Sequence, residues 1–137
     1  MESFLEAGQE IAREAGALLA GYYERRSGYR LKGAYDLVTE ADLASEKLVM
    51  ARLGARFPDH AVVAEESGEH QRGAEYCWFI DPLDGTTNFA HGFPAFCVSM
   101  GLERAGEPIA GIIYDPLRNE MFTAGRGAGA WLNGARL

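Results

Sequence analysis

The chain has 137 residues, 47% of them hydrophobic, a formal charge of -7 and two cysteines. That length supports one core and at most one domain, and the acidic balance argues against nucleic acid, whose binding wants basic patches. No basic start leads into an apolar core and no apolar run could span a bilayer, so a cytoplasmic protein with no membrane partner is expected.

Ser3 followed by Glu6 forms a capping box, and Phe4, Ile11, Ala15, Leu18, Leu19 and Tyr22 recur at helical spacing, which predicts a first helix reaching about Arg25. Ser27-Gly28 ends it, and Tyr29 to Leu37 reads as a connecting segment that could hold Lys32 and Gly33 near a site. Thr39 and Asp42 open a second helix with Ala44, Leu48 and Ala51 on one stripe, ending before Phe57-Pro58. Asp42 then falls in the first helical turn, where the helix dipole already favours an acid without any catalytic role. Ala61 to Ala64 is a short apolar strand that runs into Glu65 and Glu66.

The most informative stretch is Tyr76 to Phe93, YCWFIDPLDGTTNFAHGF. Cys77, Trp78, Phe79 and Ile80 are apolar without alternation, which predicts a strand buried on both faces. The strand is expected to stop at Asp81, where Pro82 forces a turn that brings Asp84 back toward the same end. Two converging carboxylates repel unless a cation such as Mg²⁺ or Mn²⁺ holds both ionised. Gly85 permits close backbone approach, and the amides of Gly85, Thr86 and Thr87 can form an anion nest or open a helix, either of which suits phosphate. Asp-Pro and Asp-Gly pairs are also ordinary turn chemistry, but two strands that both end in acids, Glu65-Glu66 and Asp81, favour a site.

Beyond the motif, Ala95 to Leu102, Ile109 to Tyr114 and Met121 to Ala124 read as a β-meander with turns at Arg104–Pro108 and Asp115–Asn119. Gly125, Gly127 and Gly129 form a loop without the Lys-Ser or Lys-Thr of a phosphate-binding loop. Cys77 and Cys97 lie in apolar runs and are expected to be buried thiols, and His91 a partly exposed loop residue. Ala130 to Leu132 leads into Asn133-Gly134, a strong hairpin turn, with only Ala135 to Leu137 to pair back.

Three segments, DLVTEAD at Asp36–Asp42, AEESG at Ala64–Gly68 and WFIDPLDGTTNFAHGFP at Trp78–Pro94, resemble in order and spacing the N-terminal signatures of the inositol monophosphatase family. GIIYDPLRNEMFTAGRGAGAWLNG at Gly111–Gly134 resembles the family's central strands. Lithium-sensitive cousins that act on adenosine bisphosphate carry Lys after the Gly-Thr pair, where Thr87 and Asn88 stand here. The resemblance implies an α+β fold, part of a layered α/β/α/β sandwich of the sugar-phosphatase type, with two helices followed by a largely antiparallel sheet. Residues 1–137 would be the N-terminal, metal-binding part of such a domain, and the cut hairpin would mean open sheet edges, exposed apolar surface and uncertain turnover.

What the resemblance implies for the site is specific. Glu65, Asp81 and the Leu83 carbonyl would hold one Mg²⁺, and Asp81 would bridge to a second held by Asp84. Gly85 and Thr86 would hold the phosphate through their amides, Leu83, Asp84, Gly85 and Thr86 together forming the substrate-binding turn. Water on the metal, oriented by Glu65 and by a Thr86 hydroxyl bonded to Asp42, would attack a phosphate monoester such as inositol 1-phosphate, in a homodimer. Fructose 1,6-bisphosphate and histidinol phosphate are alternative substrates, and a non-catalytic metal- and phosphate-binding module is the alternative role. A haloacid-dehalogenase-type Asp nucleophile is disfavoured, because the extra residue between Asp81 and Asp84 turns the first carboxylate elsewhere.

Overall fold

The computed structural model describes residues 2–25, 31–64, 68–70 and 73–137. Two long helices, α1 (Glu2–Arg25) and α2 (Leu31–Arg56), precede the strands β1 (Ala61–Ala64), β2 (Gly68–His70) and β3 (Tyr76–Asp84). A short helix, α3 (Thr86–His91), leads to β4 (Cys97–Arg104), β5 (Glu107–Asp115), β6 (Glu120–Gly125), β7 (Gly129–Leu132) and β8 (Ala135–Arg136). The strands form one eight-stranded sheet in the order β2-β1-β3-β4-β5-β6-β7-β8. Every neighbouring pair is antiparallel except β1 and β3.

Sequence spacing explains which faces meet. On α1, Ala7, Ile11, Ala15 and Leu19 recur every fourth residue and are buried, and Gly8 and Gly16 let the helix close onto the sheet. A Cβ at Gly16 would stand 2.5 Å from the Tyr114 ring. Ion pairs Arg52–Glu14 and Arg56–Glu10 tie α2 to α1 in antiparallel order at 2.8 and 2.9 Å, but all four side chains are exposed and add little stability. The core fills the gap between these helices and one sheet face, with Trp78, Ile80, Val98, Met100, Leu102, Ile112 and Met121 as its sheet side.

Several boundaries differ from the sequence reading. α1 begins at Glu2, so Ser3 lies inside its first turn rather than before it. α2 begins at Leu31 rather than at Thr39, because Leu37, Val38 and Ala41 extend the buried row backwards from Ser45, Val49 and Leu53. That row replaces the expected stripe, leaving Ala44 and Leu48 half-buried and Ala51 exposed. The expected stop at Ser27-Gly28 lies outside the described residues.

β3 is buried on one face only. Successive residues of a strand point to opposite faces, and the helices cover just one of them. Trp78 and Ile80 are therefore buried, while Phe79 is 42% exposed, and Ile113 on β5 is 45% exposed on the same bare side. The meander itself follows the sequence: Ala105-Gly106 and Asn133-Gly134 both turn with positive φ, at 49° and 83° and at 50° and 82°.

Where α2 passes into β1, five rings meet. His60 stacks on Phe57 and Tyr76 with ring centroids 4.6 and 4.8 Å apart, and Phe4 meets both His60 and Tyr76 edge-on or tilted. The Trp78 Nε1–H donates to His60 Nδ1 at 3.0 Å, which requires the neutral imidazole with its proton on Nε2. Burial lowers the His60 pKa from its ordinary 6.5, against a smaller opposite push from Asp59.

Candidate functional site

Parallel pairing of β1 with β3 puts their carboxyl ends side by side. Ala64 pairs with Ile80, so Glu65 follows β1 where Asp81 follows Ile80. Glu65 and Glu66 themselves lie outside the described residues. Asp81 shares the bare face with Phe79, and with Val63, Ala64, Ile80 and Ser99 it lines a depression of about 330 Å³.

β3 does not stop at Asp81 as the sequence suggested; it bulges. Asp81 pairs with Ser99 and Asp84 with Cys97, three steps along β3 against two along β4. The cause is Pro82, which has no N–H to give the ladder and so sits where pairing is interrupted. Pro82 and Leu83 turn inward and are buried, while the Leu83 N–H donates to Asp81 Oδ1 at 3.3 Å. The bulge thus keeps Asp81 and Asp84 at one end of the strand, with the Leu83 backbone between them.

The residue after Asp84 is fixed by its backbone. Gly85 caps α3 with φ 98° and ψ 38°, a left-handed conformation, and a Cβ there would lie 2.8 Å from the Ala95 carbonyl oxygen. Only glycine fits both demands. The pair of Gly85 in the left-handed and Thr86 in the right-handed region presents successive N–H groups as a concave nest, and the first turn of α3 leaves its amides without intrahelical acceptors.

Asp42 sits well inside α2, so the first-turn explanation for its charge falls away. With Tyr35, Val38, Thr39 and Leu43 it lines a cavity of about 330 Å³ whose far wall is Thr86. The structure therefore brings Asp42 and Thr86 to one space. Lys32 and Gly33, expected in a loop near the site, belong to the first turn of α2 instead. His91 ends α3 rather than lying in a loop; it is exposed, with its Nε2 3.3 Å from the Tyr35 hydroxyl.

The cysteines are free but half-buried rather than buried. Cys97 acts as a reporter of local charge: its pKa is pushed up to about 11, first by burial and then by the carboxylates of Asp84, Asp81 and Asp115. Three acids therefore direct their fields onto one thiol. Asp115 was read from sequence only as a turn residue, and its Oδ1 does accept the Leu117 and Arg118 N–H groups at 3.1 Å. Its signal was the repeat of apolar-Asp-Pro, Ile80-Asp81-Pro82 at the β3 bulge and Tyr114-Asp115-Pro116 at the end of β5.

Among the described residues, no group of three or more His, Cys, Asp or Glu side chains is close enough to hold a metal ion. The donors among the described residues are the carboxylates of Asp81 and Asp84 and the Leu83 carbonyl, all oxygen. Such a set fits a hard cation of the Mg²⁺ or Mn²⁺ kind and not zinc, which would need nitrogen or sulfur ligands.

The structure is that of an α+β protein with two helices followed by a largely antiparallel sheet, with Asp81 and Asp84 beside a glycine-opened helix. The chain belongs to the inositol monophosphatase family, whose sequence model matches residues 1–137. It is 43% identical over 139 residues to a protein named inositol monophosphatase 2 from Solanum lycopersicum, covering 98% of this chain and 52% of that one. A Pasteurella multocida protein named Nus factor SuhB is 44% identical over 140 residues, covering 100% and 52%. The solved structure of inositol monophosphatase from Anabaena (Nostoc) sp. PCC 7120 superposes with a TM-score of 0.86 at 44% identity, over 99% of this chain and 49% of that one. The chain thus spans about half the length of the relatives it matches. Among the described residues, no helix is long and apolar enough to cross a membrane.

Proposed function

We propose that this chain is the metal- and phosphate-binding part of a Mg²⁺-dependent phosphomonoesterase acting on inositol 1-phosphate or a similar sugar phosphate. The observation that carries the reading is the β3 bulge: it holds Asp81 and Asp84 at the end of a strand parallel to β1 and delivers the chain directly into the left-handed Gly85. Glu65, Asp81, the Leu83 carbonyl and Asp84 would hold Mg²⁺ or Mn²⁺. What the cation supplies when bound is acidity in a water, whose pKa falls from about 15.7 toward neutrality, and charge neutralisation at the phosphoryl oxygens.

This chain's own residues do the rest. The amides of Gly85 and Thr86 grip the phosphate and fix its orientation. The Thr86 hydroxyl would donate to Asp42 across their shared cavity, leaving its lone pairs to accept a hydrogen bond from a water beside the phosphate, and Glu65 would help orient that water. No covalent phosphoenzyme is needed. The reading also carries the family traits of a cytoplasmic homodimer and sensitivity to lithium.

A metal- and phosphate-binding role without turnover is the second reading. Phosphate release from inositol 1-phosphate with Mg²⁺ separates the two. Metal-dependent release that Asp84→Asn abolishes supports the enzyme; equal background in both proteins refutes it.

A further inference from the structure

Ser45 is a fully buried polar residue in the middle of α2, and its hydroxyl donates to the Pro82 carbonyl at 2.8 Å. The β3–β4 register passes over Pro82 and Leu83, so this carbonyl belongs to the part of the strand that the bulge lifts out of the ladder. A carbonyl buried there needs a donor from elsewhere, and α2 supplies it. One turn earlier on the same helix, Asp42 lines the cavity that Thr86 closes. The helix thus reaches both arms of the motif, the bulge through Ser45 and the opening of α3 through Asp42.

We propose that Ser45 is a positioning residue for the cation site: by pinning the Pro82 carbonyl it sets the bulge in which Asp81, the Leu83 carbonyl and Asp84 stand. The proposal rests on the metal reading given above. The hydroxyl touches no reacting atom. Its effect passes through the Pro82–Leu83 peptide, whose N–H is the donor to Asp81 Oδ1. Partners that orient ligands from outside the coordination shell are typically worth about 10- to 100-fold in metal affinity.

The test is calorimetric titration of the full chain with Mn²⁺ in the presence of inorganic phosphate, alongside amide hydrogen exchange. Ser45→Ala is expected to bind Mn²⁺ about 10-fold more weakly and to exchange the Leu83 amide faster, with β4 and β5 amides unchanged. Ser45→Thr, which keeps the hydroxyl, should recover most of the affinity. Val49→Ala, one turn along the same buried row, controls for packing: it should lower the melting temperature and leave Mn²⁺ affinity unchanged. Equal affinity in Ser45→Ala and the parent overturns the proposal, as does an equal loss in Val49→Ala. If Ser45→Ala does not fold, Ser45→Cys, of similar size but with a weaker donor, takes its place under the same criteria. A parent protein that takes up no Mn²⁺ refutes the metal reading itself, and the role of Ser45 with it.

Discussion

Gly85→Ala probes the junction on which the site depends. Alanine would be held at φ 98°, and left-handed backbone costs a residue with a Cβ roughly 1–2 kcal/mol. Its Cβ would lie 2.8 Å from the Ala95 carbonyl oxygen and 3.2 Å from Phe96 Cα, both backbone atoms that cannot rotate away. Overpacking of that kind costs about 1–3 kcal/mol. The stiffer unfolded chain returns about 0.4–1 kcal/mol, leaving a net loss of about 2–4 kcal/mol. For a chain of this size that lowers the melting temperature by about 6–14 °C. Gly101→Ala is the control, because a Cβ there meets nothing within 4 Å and its φ is not in the left-handed region. Differential scanning calorimetry of the two variants decides the matter. Equal melting temperatures would show that neither the conformation of Gly85 nor its contact with Ala95 constrains the chain.

Other expectations follow from the same structure. His60 is held neutral by burial and by accepting from Trp78, so the unfolded chain takes up a proton first as pH falls. Its stabilising contribution is complete above the ordinary value of 6.5 and is lost on the way down to its lower folded value. His60→Phe keeps the stacking and should flatten the dependence of melting temperature on pH below the ordinary value of 6.5; an unchanged slope refutes the assignment. Cys97, with its pKa near 11, should alkylate slowly with iodoacetamide at pH 8, and Asp84→Asn should speed the reaction by removing the largest carboxylate contribution. An unaltered rate would mean that the acids do not converge there.

The fold was largely legible because its signals are local. Four-residue periodicity marks α1, and the Asn133-Gly134 turn marks the last hairpin. The strand order around β1 and β3 was not legible, since a parallel pair is set by tertiary packing rather than by any turn. At the site, Asp81, Asp84 and Gly85 stood out because Pro and Gly announce backbone requirements in the sequence. The bulge was mistaken for a turn, because Pro82 forbids a ladder bond in either case and only the β4 register distinguishes them. Asp42 was placed at a helix start because Thr39 resembles a cap; in the structure the Thr39 hydroxyl donates back to the Tyr35 carbonyl inside the helix. Ser45 is silent in the sequence because one hydroxyl in an apolar row carries no signal until its acceptor, the Pro82 carbonyl, is known.

The most direct measurement is titration calorimetry of the folded chain with Mg²⁺ or Mn²⁺ in the presence of phosphate, repeated on Asp81→Asn. Saturable uptake that the substitution removes is the expected result. A folded protein that takes up neither cation, or whose uptake is indifferent to Asp81, contradicts the claim that the ends of β1 and β3 form a cation site.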